Sequence, residues 1–120
     1  MARVLLADDD LILRDFLTTH LEAGGHSVLV AHDGEEAIVL SQKGHPDIAV
    51  LDMDMPGITG WEAIRRIKSA EDTRSLPVIV LSAHTTAGDK DEAHEAGCDI
   101  YLEKPVQAMR LIETLDTLLG

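Results

Sequence analysis

Short apolar runs recur along the chain: "VLLA" (4–7), "VLVA" (28–31), "IAVL" (48–51), "VIVL" (78–81) and a weaker "IYL" (100–102). Each is followed by a polar residue and then by a stretch of helical length. Continuous apolar runs without polar alternation read as strands covered on both faces, the pattern of a parallel sheet between helices. The intervening segments, about 10–23, 34–43, 59–70, 86–96 and 105–119, predict five helices.

The punctuation agrees with this. "EAGGH" closes the first helix with glycine, "HDGEE" opens the second with acids, and "EAGCD" closes the fourth. Thr59 is placed to cap the third helix before Gly60 and Trp61. Pro105 is placed to start the last. Five alternating strand–helix units predict an open α/β sheet, since an eight-fold barrel needs about twice the length. On the first helix Leu13, Leu17 and Leu21 form a core stripe. Leu11 and Ile12 fall off that stripe, and Phe16 lies at its margin. The fourth helix offers only Ala87, Ala93 and Ala96 as apolar anchors, with Gly88 near its start. That predicts an element of low stability whose position is easily biased.

Open parallel sheets bind ligands at the carboxyl ends of their strands. Asp8, Asp9 and Asp10 follow the first run, Asp52 the third, Ser82 the fourth, and Lys104 the fifth. Any one acid after a strand is ordinary, because loops are polar. An acid pair, an acid, a hydroxyl and a lysine, each beyond a separate buried strand, make a pattern. Carboxylates gathered at one edge repel unless they share a cation. Oxygen-only donors favour a hard ion, Mg²⁺ before Ca²⁺ or Mn²⁺. Too few donors for a full cage again suit Mg²⁺, which keeps waters and takes a phosphoryl oxygen. The hydroxyl of Ser82 and the ammonium of Lys104 are what phosphoryl oxygens need. These residues spell a phosphoryl-transfer site with a carboxylate available as nucleophile.

"ADDD", "DIAVLDMDMPGITG", "PVIVLSAH" and "AGCDIYLEKP" together resemble the receiver domains of two-component response regulators, the CheY-like family. The resemblance covers essentially the whole chain and implies a single domain over 1–120. The fold it implies is a flavodoxin-like three-layer α/β/α sandwich, with a five-stranded parallel sheet of order 2-1-3-4-5 and five helices. By the same resemblance Asp52 is the phosphoacceptor that attacks a phosphohistidine, and Asp9 is a direct magnesium ligand. Asp8 is its partner, acting through water, and Asp52 and the backbone carbonyl of Asp54 complete the metal's protein ligands. Ser82 hydrogen-bonds the phosphoryl group, Lys104 pairs with it, and the Lys104–Pro105 peptide is cis. Tyr101 is the aromatic whose rotamer follows phosphorylation, so Ser82 and Tyr101 form the switch. Asp54 and His84 occupy the positions that tune the lifetime of the phosphoryl group. Leu11, Ile12 and Phe16 form the surface on which a kinase's helical bundle docks. The implied cofactor is Mg²⁺, with Mn²⁺ as an acceptable substitute. The implied partners are a histidine kinase or histidine phosphotransfer protein and a downstream protein target or output domain.

Three other readings compete. "LDMDM" resembles the Asp-x-Asp motif of haloacid-dehalogenase-like phosphatases. Those enzymes carry that motif on their first strand and are usually longer. A degenerate receiver would have lost some of its chemical positions, and all five are filled here. A flavodoxin-type FMN binder would not put three acids where the cofactor's phosphate must sit.

Charge and composition narrow the setting. A formal charge of -12 argues against nucleic acid or an anionic membrane as a direct partner. Cys98 is the only cysteine, so no internal disulfide forms, and a reducing, cytoplasmic location fits. Its neighbour Asp99 raises its pKa, which makes it a small core side chain rather than a nucleophile. Trp61, Tyr101 and Phe16 are the only aromatics, so the core is aliphatic. None of the six histidines has metal-ligand spacing, and surface roles are expected for them. No apolar stretch approaches the roughly 20 residues of a membrane helix, and the acids that follow "MARVLLA", with no cleavage site after them, argue against a secretory signal. The last helix runs almost to Gly120, which fits either a stand-alone receiver or the first domain of a longer regulator or hybrid kinase.

Overall fold

The computed structural model describes residues 2–53, 55, 57–83 and 87–120. The apolar runs become β1 (Arg3–Ala7), β2 (Ser27–Ala31), β3 (Ile48–Asp52), β4 (Val78–Ser82) and β5 (Ile100–Glu103). The segments between and after them form α1 (Leu11–Ala23), α2 (Gly34–Lys43), α3 (Gly60–Ser69), α4 (Ala87–Ala96) and α5 (Ala108–Leu119). All strand pairs are parallel, in the order β2-β1-β3-β4-β5. Among the described residues no helix is long and apolar enough to cross a membrane.

Alternation along each strand divides the core into two layers. Val4 and Leu6 of β1 pack with Leu17 and Leu21 of α1 and with Leu111 and Leu115 of α5. Leu5 and Ala7 point the other way, into a layer with Ala37 of α2, Ala63, Ile64 and Ile67 of α3, and Ala93 and Ala96 of α4. All five residues of β3 and of β4 are buried, as uniformly apolar runs require. The edge strands β2 and β5 are only partly covered.

The caps form from the signals in the sequence. Asp33 accepts the Glu36 amide at 2.8 Å to start α2, and Thr59 accepts the Glu62 amide at 3.2 Å to start α3. Gly25 (φ 93°) and Gly97 (φ 113°) adopt the left-handed turns after α1 and α4. Leu13 is only half-buried, so Leu17 and Leu21 carry the stripe of α1.

Two expectations are corrected. Pro105 does not start α5, which begins at Ala108 after a cis Lys104–Pro105 peptide. The intervening residues carry the chain back from the sheet edge to the α1 side, where Val106 is buried in the core. His26 is not a surface residue. The turn at Gly24–Gly25 folds its ring inward, where Nδ1 accepts the Ala2 amide at 3.0 Å. Its Nε2 therefore carries the proton and lies 3.7 Å from Asp116 Oδ1 on α5.

Candidate functional site

The parallel register brings the chemistry-bearing residues to one edge. Ala7 is paired with Leu51, so Asp8 and Asp52 are the next residues on adjacent strands. Asp52 and Ser82 end β3 and β4 as strand residues, and Lys104 follows β5. The Lys104 amide donates to the Ser82 carbonyl at 2.8 Å, and the Met53 amide to that of Leu81 at 3.0 Å. The edge is thereby stitched from β3 to β5.

Asp8, Asp52 and Ser82 are buried, and Asp9 is exposed. Asp8, Asp9 and Asp52 each offer a carboxylate oxygen, and these oxygens lie within 4.8 Å of one another. The Lys104 ammonium reaches in from the β5 side, 3.0 Å from Asp52 Oδ1 and 3.6 Å from Asp8 Oδ2. Burial pushes the Asp8 carboxyl up to about 6, and the charge of Asp52 works in the same direction. The amide of Asp10 and the charge of Lys104 oppose that rise.

Asp8 Oδ1 accepts the Asp10 amide at 2.9 Å, whereas the buried Oδ2 has no hydrogen-bond donor among the described residues. A buried carboxylate oxygen whose charge is met only by the Lys104 ammonium at 3.6 Å, among three converging acids, marks a place for a further cation. The donors are all oxygen, so the residues fit a hard divalent ion. Asp10 does not join them. Its Oδ1 caps α1 by accepting the Ile12 and Leu13 amides at 3.0 and 3.2 Å. An open groove of about 450 Å³ runs beside the site, lined by Asp10, Leu13, Ala83, Lys104, Pro105 and Val106.

The remaining predicted positions fall into three groups. Tyr101 is half-buried on β5, paired with Val80 and packed against the layer of α2, α3 and α4. Leu11, Ile12 and Phe16 are exposed on α1. Asp54 and His84 lie outside the described residues. Cys98 is buried, and its thiol is pushed up to about 11 by burial first and by Asp99 second, which leaves it protonated and unreactive at neutral pH.

One residue near the site was not anticipated. Arg14, buried on α1, donates from Nη1 to the Asp8 carbonyl at 3.3 Å. Its position four residues after the cap Asp10 was the available signal, because i and i+4 share a helical face.

The arrangement has close counterparts. A sequence model of the response regulator receiver domain matches residues 4–116. The chain is 31% identical over 117 residues to the polar-differentiation response regulator DivK of Brucella ovis, covering 98% of this chain and 95% of that protein. Its fold matches the chemotaxis response regulator CheY4 of Vibrio cholerae with a TM-score of 0.92 and 30% identity, over 98% of each chain. It also matches the receiver domain of the sensor histidine kinase PA1611 from Pseudomonas aeruginosa, with a TM-score of 0.92 and 28% identity, over 99% of this chain and 98% of that one. That structure has a magnesium ion coordinated in its active site cleft. These likenesses give no support to the haloacid-dehalogenase-like reading. Both the sheet order and the family model lead to one conclusion: the chain belongs to the receiver domains of two-component response regulators.

Proposed function

We propose that Asp52 is the phosphoacceptor of this receiver, with Mg²⁺ held by Asp8, Asp9, Asp52 and the backbone carbonyl of Asp54. The observation that carries this reading is the meeting of a buried Asp52 with two further carboxylates and with the Lys104 ammonium, 3.0 Å from its Oδ1.

A carboxylate oxygen of Asp52 attacks the phosphorus of a phosphohistidine on a histidine kinase or histidine phosphotransfer protein. The P–N bond breaks, its electron pair returns to the imidazole, and an acyl phosphate remains on Asp52. Water later attacks the same phosphorus, the bond to the Asp52 oxygen breaks, and carboxylate and inorganic phosphate are regenerated. These two reactions on itself are the only catalysis assigned to the chain. When bound, Mg²⁺ supplies positive charge to the phosphoryl oxygens, and Mn²⁺ serves as a substitute.

Lys104 pairs with one phosphoryl oxygen, and Ser82 donates a hydrogen bond to another. Tyr101, on the strand that ends beside Lys104, carries the change outward to a downstream protein target or output domain. Leu11, Ile12 and Phe16 dock the phosphodonor. Asp54 and His84 set the phosphoryl lifetime, a proposal that rests on their sequence positions. A cytoplasmic setting suits the single unpaired thiol.

Intact-mass analysis after incubation with acetyl phosphate and Mg²⁺ tests the reading. A phosphoryl-sized adduct is expected on the wild type, lost in EDTA and absent from Asp52→Ala. An adduct of equal yield on Asp52→Ala would refute the assignment.

A further inference from the structure

The first turn of α1 grips Asp8 at two points. The Asp10 amide donates to its Oδ1 at 2.9 Å, and Arg14 Nη1 donates to its main-chain carbonyl at 3.3 Å. The turn is itself fixed, because Asp10 caps α1 and accepts the Arg14 amide at 2.9 Å. With Oδ1 and the carbonyl both engaged, Oδ2 is left on the side of Lys104.

Arg14 is 8% exposed, and a guanidinium taken out of water is unfavourable unless its donors are used. Its bond goes to a carbonyl, so the residue acts on the backbone that carries the site. We propose that Arg14 is a positioning residue: by holding the Asp8 carbonyl it sets the orientation of the Asp8 carboxylate and hence the affinity of the acidic cluster for Mg²⁺. This rests on the assignment of Asp8, Asp9 and Asp52 to the metal.

The sign of the effect separates positioning from plain electrostatics. A cation near three carboxylates repels Mg²⁺, so deleting its charge would by itself tighten binding. Loss of a positioning contact behind a metal ligand weakens binding instead, by about 10–100-fold.

Isothermal titration of Mg²⁺ into wild type, Arg14→Met and Arg14→Lys provides the test, with melting in EDTA as the control for folding. Arg14→Met keeps an apolar stem in the core and is expected to bind Mg²⁺ about 10–100-fold more weakly. Its adduct yield from acetyl phosphate is expected to recover at saturating Mg²⁺, a separation of affinity from chemistry that general loosening does not give. Arg14→Lys keeps a donor on a flexible stem and is expected to fall between the two. Arg14→Met binding as tightly as wild type, or more tightly, would overturn the proposal. So would Arg14→Lys binding no better than Arg14→Met. If Arg14→Met does not fold, Arg14→Gln replaces it with the same criteria. A wild type that binds no Mg²⁺ would remove the metal assignment itself, whatever the variants do.

Discussion

The ammonium of Lys104 lies 3.0 Å from Asp52 Oδ1 and 3.6 Å from Asp8 Oδ2, one cation shared by two buried carboxylates on neighbouring strands. Its side chain is only 20% exposed, so the attraction is weakly screened. Removing it in Lys104→Met leaves both acids to repel each other. The expected loss of stability in EDTA is about 1–3 kcal/mol, below the usual figure for breaking a buried pair because Asp8 takes up a proton instead. Saturating Mg²⁺ should restore most of the loss. Thermal melts with and without metal check this, and an equal loss in both conditions would contradict it.

Asp8 gives a pH-dependent prediction. Its carboxyl is raised from 3.8 to about 6 in the folded chain, chiefly by burial. Folding thus favours its protonated form. The stability this provides is complete below pH 3.8, declines as pH rises, and is gone once pH has passed about 6. Asp8→Asn has no such dependence. In EDTA at pH 7.5 the variant should be more stable than wild type by about 1–3 kcal/mol. The difference should shrink as pH falls towards 4, and Mg²⁺ should stabilise only the wild type strongly. Denaturation curves across that range decide it; a difference that does not change with pH would be the contrary result.

Gly60 opens α3 directly against Asp52 and Met53. A Cβ there would stand 2.8 Å from Met53 Cα and 3.1 Å from the Asp52 carbonyl oxygen, and would also strike the Met53 methyl. Glycine to alanine in a helix ordinarily stabilises by about 1 kcal/mol. Here the sign should reverse, because the backbone of Asp52 and Met53 cannot retreat without disturbing the site. Gly60→Ala is expected to lose about 1–3 kcal/mol and to accept phosphate more slowly. A stabilised variant with the wild-type rate would show that the contact relaxes freely.

The expectation of a weakly held α4 leads to a measurement by hydrogen exchange. Ala93 and Ala96 are buried, while the side chain of Ala87 lies outside the described residues. A buried methyl-sized group stabilises by only about 0.8 kcal/mol, and α3 by contrast buries Ala63, Ile64 and Ile67. Amides of 91–96 should exchange well before those of β3 and β4. Equal protection would mean that α4 is held by contacts other than its apolar ones.

The sequence by itself determined the layers and the edge. Short apolar runs alternating with helical segments read as the strands of a parallel sheet, which puts Asp8, Asp52, Ser82 and Lys104 at one edge. The caps at Asp33 and Thr59 were equally legible, because they depend on bonds three residues away. What only the tertiary structure decided depends on partners distant in the chain. Of the run of three acids, which two converge with Asp52 was decided across the sheet: Asp8 and Asp9 do, and Asp10 does not. Pro105 could have begun a helix, but the chain first had to bury Val106 on the α1 side. His26 could have stayed in water, but the Ala2 amide needed an acceptor. Arg14 could have been one surface charge among ten, and its burial under Asp8 follows from where α1 lies against the end of β1. Local patterns record which groups reach an edge. How each group is turned there is set by hydrogen bonds that form only after the helices have docked.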